Sequence, residues 1–163
     1  MVRNILLIRH AEAQFQSETN SDFDRKLSHN GENQAIMLGQ YINQLPFTLN
    51  AVYTSPSKRT LQTVMHLIKP LDPKPRIMDA EELYEPTLNV LKAALARFDN
   101  QFENLAIVAH NPAMAGLFTH LCSEIRDYSP GTCAWLSIEA DTWEEVTAGA
   151  CELKDFYVPG MEI

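Results

Sequence analysis

The amino-acid sequence predicts a three-layer α/β/α fold, its sheet mainly parallel with a C-terminal antiparallel hairpin at one edge. Three observations predict it. Short apolar runs alternate with stretches of helical periodicity along the 163 residues. The runs Ile5–Ile8, Ala51–Thr54 and Leu105–Ala109 are apolar almost throughout, as strands buried on both faces of a sheet are. The tail alternates instead, in Ala134–Ile138 and more loosely in Cys151–Tyr157 with Asp141–Gly149 between them, as a hairpin added at a sheet edge does.

In chain order, the first run ends in Arg9 and His10. The polar segment Ala11 to Lys26 then reads as a loop over a crevice mouth. Leu27-Ser28 opens a helix with Ala35, Leu38, Ile42 and Leu45 at helical spacing, ended by Pro46. The strand around Val52 leads into a helix begun at Pro56, whose expected apolar face is Leu61, Val64, Met65 and Ile68. Leu71 to Pro75 is a proline-rich connection, and Arg76-Ile77-Met78 makes a short strand. Asp79 to Pro86 is acidic, with Asp79, Glu81, Glu82 and Glu85. Thr87 caps a helix marked by Leu88, Leu91, Leu95 and Phe98. A further helix runs from Pro112 to about Cys122. His66 and His120, both within helices, read as structural.

Composition bounds the function. A chain of this length, 45% hydrophobic and 21% charged, reads as one domain spanning 1–163 with a proper core. The net charge of −8, without a basic tract, disfavours nucleic acid as the partner. No apolar stretch is long enough to span a membrane or to serve as a signal peptide, so the expected location is cytoplasmic. Cys122, Cys133 and Cys151 form no CxxC pair, so neither a disulfide framework nor a structural zinc site is indicated.

Against that acidic background, cations gather at three strand ends. In an open α/β sheet, ligands sit beyond the carboxyl ends of the parallel strands. Ser55-Pro56 and Asn111-Pro112 both read as a capping residue followed by proline at the first helical position. Helix N-termini favour anions. Arg9, His10, Arg59 and His110 would thus share one crevice, a site for a dianion with phosphate foremost.

At these residues the chain resembles the histidine phosphatase superfamily, also called the phosphoglycerate mutase-like fold. Arg9-His10 is similar to that family's RHG signature, with Ala11 in the glycine position. Ser55-Pro56-x-x-Arg59-x-x-x-Thr63 resembles its second phosphate-binding motif, and His110 its second histidine. Asp24-Arg25-x-Leu27-Ser28-x-x-Gly31 and Val108-Ala109-His110-Asn111-Pro112 look most like the SixA-type phosphohistidine phosphatases. Arg9-His10-Ala11-Glu12-Ala13-Gln14-Phe15 lacks the Thr and Asn of the larger branch's RHGxTxxN.

The resemblance implies that His10 is the nucleophile, that Arg9, Arg59 and His110 bind the phosphoryl oxygens, and that no metal or other cofactor takes part. For the general acid it points to Glu85, within Leu83-Tyr84-Glu85, with Glu82, or no carboxylate at all, as the alternatives. Phosphohistidine on a partner protein is the implied substrate. A small phosphorylated metabolite, or a non-catalytic phosphate-binding module, stands as the alternative.

Overall fold

The computed structural model describes residues 1–160. Its elements, in order, are β1 (Val2–Arg9), α1 (His29–Asn43), β2 (Ala51–Thr54), α2 (Lys58–Leu67), β3 (Arg76–Asp79), α3 (Leu88–Ala96), β4 (Asn104–Ala109), α4 (Ala113–Cys122), β5 (Cys133–Glu139) and β6 (Glu152–Tyr157). The strands form one sheet in the order β3-β2-β4-β1-β5-β6. The first four of these are parallel, while β5 runs antiparallel to β1 and to β6. The mainly parallel sheet with an antiparallel edge is the one expected.

Burial on both faces explains the unbroken apolar runs. Ile5 and Leu7 of β1 pack with Leu91 and Leu95 of α3 and with Met114, Leu117 and Phe118 of α4. Leu6 and Ile8 pack on the other face with Leu38 and Ile42 of α1 and with Val64 and Leu67 of α2. All four β1 residues are fully buried, each contributing roughly 1.5–3 kcal/mol of hydrophobic stabilisation.

Capping follows the sequence at α1 and α3 and departs from it at α2 and α4. Ser28 accepts a hydrogen bond from Gly31 N at 3.0 Å, and Thr87 accepts one from Val90 N at 3.2 Å. A side chain at Gly31 would collide with the Glu12 carbonyl, a Cβ there lying only 1.9 Å from it, so the first turn of α1 rests on the loop after β1. By contrast α2 starts at Lys58 with Ser57 at its N-cap, two residues later than expected. Pro112 is at the N-cap of α4, and Asn111 Oδ1 accepts from Ala115 N at 3.2 Å.

The inner face of α2 also differs. It is Thr60, Thr63, Val64 and Leu67, while Met65 is 62% exposed. The polar first turn decides the rotation. Thr60 Oγ1 donates to the Ser55 carbonyl at 2.7 Å, and Thr63 Oγ1 accepts from Ala11 N at 3.0 Å. Both bonds draw the threonine face against the strand ends.

Arg3 is a buried cation that hydropathy alone does not flag. Its guanidinium donates to the carbonyls of Ala140, Phe102 and Asn100 at 3.1, 3.1 and 3.2 Å, and also to the carbonyl of Asp141. Trp143 lies 5.1 Å from it. Arg3→Met leaves four carbonyls without that donor and is expected to cost roughly 2–4 kcal/mol of stability. Denaturant unfolding measures this, and activity per folded molecule should stay unchanged.

Candidate active site

Strands β2, β4 and β1 are neighbours and parallel, so their C-terminal ends open on one crevice. Arg9 is the last residue of β1, with His10 following. Arg59 stands in the first turn of α2, just after β2, and His110 follows β4. The imidazole rings of His10 and His110 lie 5.3 Å apart, and Arg59 Nη2 is 3.2 Å from His110 Nδ1. Arg9 Nη1 donates to the Tyr128 carbonyl at 2.8 Å. The four residues singled out in the sequence are thus gathered at one sheet edge. Two of their donors, Arg9 Nε and Arg59 Nε, are buried with no acceptor among the described residues. A buried donor left so costs about 1–3 kcal/mol, which an anion in the crevice would offset.

Hydrogen bonds fix the state of His10. Its Nδ1 is 2.7 Å from the Ala11 carbonyl, an acceptor only, so Nδ1 carries the proton and Nε2 the free lone pair. Burial is the main force holding its pKa down to about 3. The Ala11 bond opposes this, while His110, Arg59 and Arg9 add to it. The like charge of the arginines thus lowers it too but is secondary to desolvation. Burial, with Arg59 next, likewise holds His110 down to about 4. Both rings are neutral near pH 7.

Three further partners meet the site, and two of them, Asp22 and Tyr84, have no local signature in the sequence. Asp22, in a 3-10 turn of the Ala11–Lys26 loop, faces Arg59: Nη1 donates to its carbonyl at 2.8 Å and Nη2 to Oδ2 at 3.0 Å. Burial works against its ionisation, but bonds from Arg25 and Tyr84 and the charge of Arg59 hold its pKa at about 2. The Tyr84 hydroxyl donates to Asp22 Oδ2 at 2.8 Å, and its ring meets His110 edge-on at 5.6 Å. Ser55, expected as a cap and as the first residue of the phosphate-binding motif, places its hydroxyl 2.8 Å from His110 Nε2.

The structure separates Glu85 from Glu82. Glu85, exposed and at φ +50°, lines a crevice of about 390 Å³ together with Asp22, Arg59 and His110. Glu82 lines a different cavity and pairs with Arg97 at 3.7 Å. Arg9 and His10 are not among the residues lining the 390 Å³ crevice.

The family model of the histidine phosphatase superfamily, branch 1, matches residues 5–88. The chain belongs to that superfamily. Solved structures agree on the fold of this histidine phosphatase. A chain from Nakamurella multipartitia described as a phosphohistidine phosphatase SixA is 22% identical with a TM-score of 0.87, covering 99% of this chain and 98% of that one. One from Agrobacterium tumefaciens, also described as a phosphohistidine phosphatase SixA, is 20% identical with a TM-score of 0.83, covering 96% and 98%. An α-ribazole-5′-P phosphatase fold from Escherichia coli matches at 15% identity and TM-score 0.67, covering 99% and 98%. The chain is thus a phosphatase with the phosphoglycerate mutase-like fold. Among its described residues, no helix is long and apolar enough to cross a membrane.

Proposed function

We propose that residues 1–163 act as one cytoplasmic domain, a metal-independent phosphatase that works through a phosphohistidine at His10 and acts on phosphohistidine in a partner protein. The observation that carries this is the pairing of a free His10 Nε2 lone pair with two buried guanidinium donors that lack acceptors among the described residues. Nε2 attacks phosphorus, the bond to the leaving group breaks, and the leaving group takes a proton. Water then attacks the phosphohistidine, and the electron pair of the P–N bond returns to Nε2. Covalent catalysis of this kind splits one difficult transfer into two. Arg9 and Arg59 supply planar forks for the equatorial oxygens, where phosphoryl transfer draws most of its stabilisation.

The leaving group favours phosphohistidine. Imidazolium has a pKa of about 6.5, so imidazole needs far less protonation than an alkoxide. One observation supports a small phosphate ester as a second substrate class: Glu85 lines the crevice together with Arg59 and His110. Hydrolysis of phosphohistidine, phosphoserine and a sugar phosphate, with a chelator present, tests the proposal. Phosphohistidine is expected to be turned over fastest, and a reaction that stops with the chelator would refute metal independence.

Two mutants sharpen this. Glu85→Gln is expected to lower kcat/KM on a sugar phosphate by roughly 10²-fold or more, and on phosphohistidine far less. Glu82→Gln is expected to be neutral on both, because it faces Arg97. Equal losses from Glu85→Gln on both substrates would make that carboxylate a positioning group instead. In Asp22→Asn the carboxylate no longer competes for Arg59, so inorganic phosphate should inhibit at several-fold lower concentration. Weaker inhibition would show that Asp22 helps to hold the phosphoryl group.

A further inference from the structure

His110 is held from both sides, and the two contacts fix where its proton lies. Arg59 Nη2 stands 3.2 Å from Nδ1, and a guanidinium only donates, so Nδ1 carries a lone pair. The single proton of the neutral ring is therefore on Nε2, 2.8 Å from the Ser55 hydroxyl. Ser55 is fully buried and rigidly placed. Its N–H donates to the Val108 carbonyl at 3.0 Å, and its own carbonyl accepts from Thr54 and Thr60 at 3.0 and 2.7 Å. Ser57 is at the N-cap of α2, and the Ser55 hydroxyl accepts from Ser57 N at 3.4 Å besides facing His110.

We propose that Ser55 is the positioning residue of His110: its hydroxyl accepts the Nε2 proton throughout, so that the ring meets the bound phosphoryl group through Nδ1. This deepens the function proposed above and rests on it. When a dianion displaces Asp22, the Arg59 guanidinium is drawn to it and Nδ1 loses its donor. The Nδ1 lone pair then faces negative charge. One proton is taken up from solvent at Nδ1, and the imidazolium donates one bond to Ser55 and one to a phosphoryl oxygen. No proton has to change sides of the ring. The charged and titratable groups around it are Arg59, Arg9, Asp22, His10 and Tyr84, with Glu85 in the same crevice.

Tungstate, a dianion that does not itself titrate near neutrality, is the probe. Nitrogen-15 spectra of the His110 ring are expected to show only Nε2 protonated in the free protein and both nitrogens protonated with tungstate bound. In Ser55→Ala the free protein should show mixed tautomers, with kcat/KM lowered roughly tenfold, about the worth of one hydrogen bond to a charged group. Ser55→Thr, which keeps the hydroxyl, should restore both. Ser55→Ala should add less than about twofold to the loss in His110→Ala, since the two act as a unit. An Nδ1 that stays unprotonated with tungstate would overturn the proposal, as would an unchanged tautomer and rate in Ser55→Ala. A full tenfold loss on top of His110→Ala would do the same. A His110→Ala enzyme of wild-type rate would instead remove His110 from the phosphoryl group, and the underlying reading would fail first.

Discussion

His10→Ala is expected to lower turnover on every phosphorylated substrate by on the order of 10⁴-fold or more, the size of loss seen when a nucleophile is deleted. The structure gives the reason. His10 offers a nitrogen lone pair at Nε2, with the other ring position locked on the Ala11 carbonyl, whereas the lone pair of His110 at Nδ1 faces Arg59. The fold should survive, because the layers close through β1 and the helices packed on its two faces.

The same variant changes stability against pH in a direction that can be worked out. A histidine whose folded pKa is held at about 3 binds fewer protons than its unfolded form at all pH values between there and 6.5. Stability therefore falls as pH drops through that window, by about 1.4 kcal/mol per pH unit for each such ring. His110, at about 4, adds a second contribution. Denaturant unfolding between about pH 7 and pH 5 should show a shallower loss in His10→Ala than in the wild type. Residual turnover within tenfold of wild type would rule out His10 as the nucleophile.

Arg59→Lys is expected to be the second largest loss although the charge is kept. Arg59 reaches Asp22 through both terminal nitrogens and His110 through one of them, a fork that a single ammonium cannot reproduce. Each charge-assisted bond lost is worth roughly 1.5–3 kcal/mol, so kcat/KM should fall by about ten- to a hundredfold. The loss should appear as weaker inhibition by inorganic phosphate as well as slower turnover. Full activity in Arg59→Lys would mean that no planar two-point contact is made.

The elements and the four crevice residues were legible because their signals are local. Ile5–Ile8 followed by Arg9-His10 is at once a buried strand and its end, and Thr87 three residues before Val90 is a cap. What was missed depends on partners far along the chain. Asp22 meets Arg59 across 37 positions, and Arg3 meets the carbonyl of Ala140 across 137. No window of sequence holds both members of either pair. The face of α2 went wrong for a related reason. Hydrophobic periodicity selects Met65, but Thr60 and Thr63 turn inward because their hydroxyls bond to the strand ends. Sequence ranks Glu85 above Glu82 only by resemblance, because their separation in space depends on backbone shape: a 3-10 turn at Glu81–Leu83 and then a left-handed residue at Glu85.

Trapping the intermediate tests the central claim most directly. The enzyme is mixed with a radiolabelled phosphoryl donor in the presence of a chelator, quenched in alkali within its first turnover, and digested. Label is expected on the peptide that carries His10, stable in alkali and lost in acid as a phosphoramidate is, and absent from His10→Ala. Turnover by an active enzyme with no such label, or with the label on another residue, would contradict a phosphohistidine at His10.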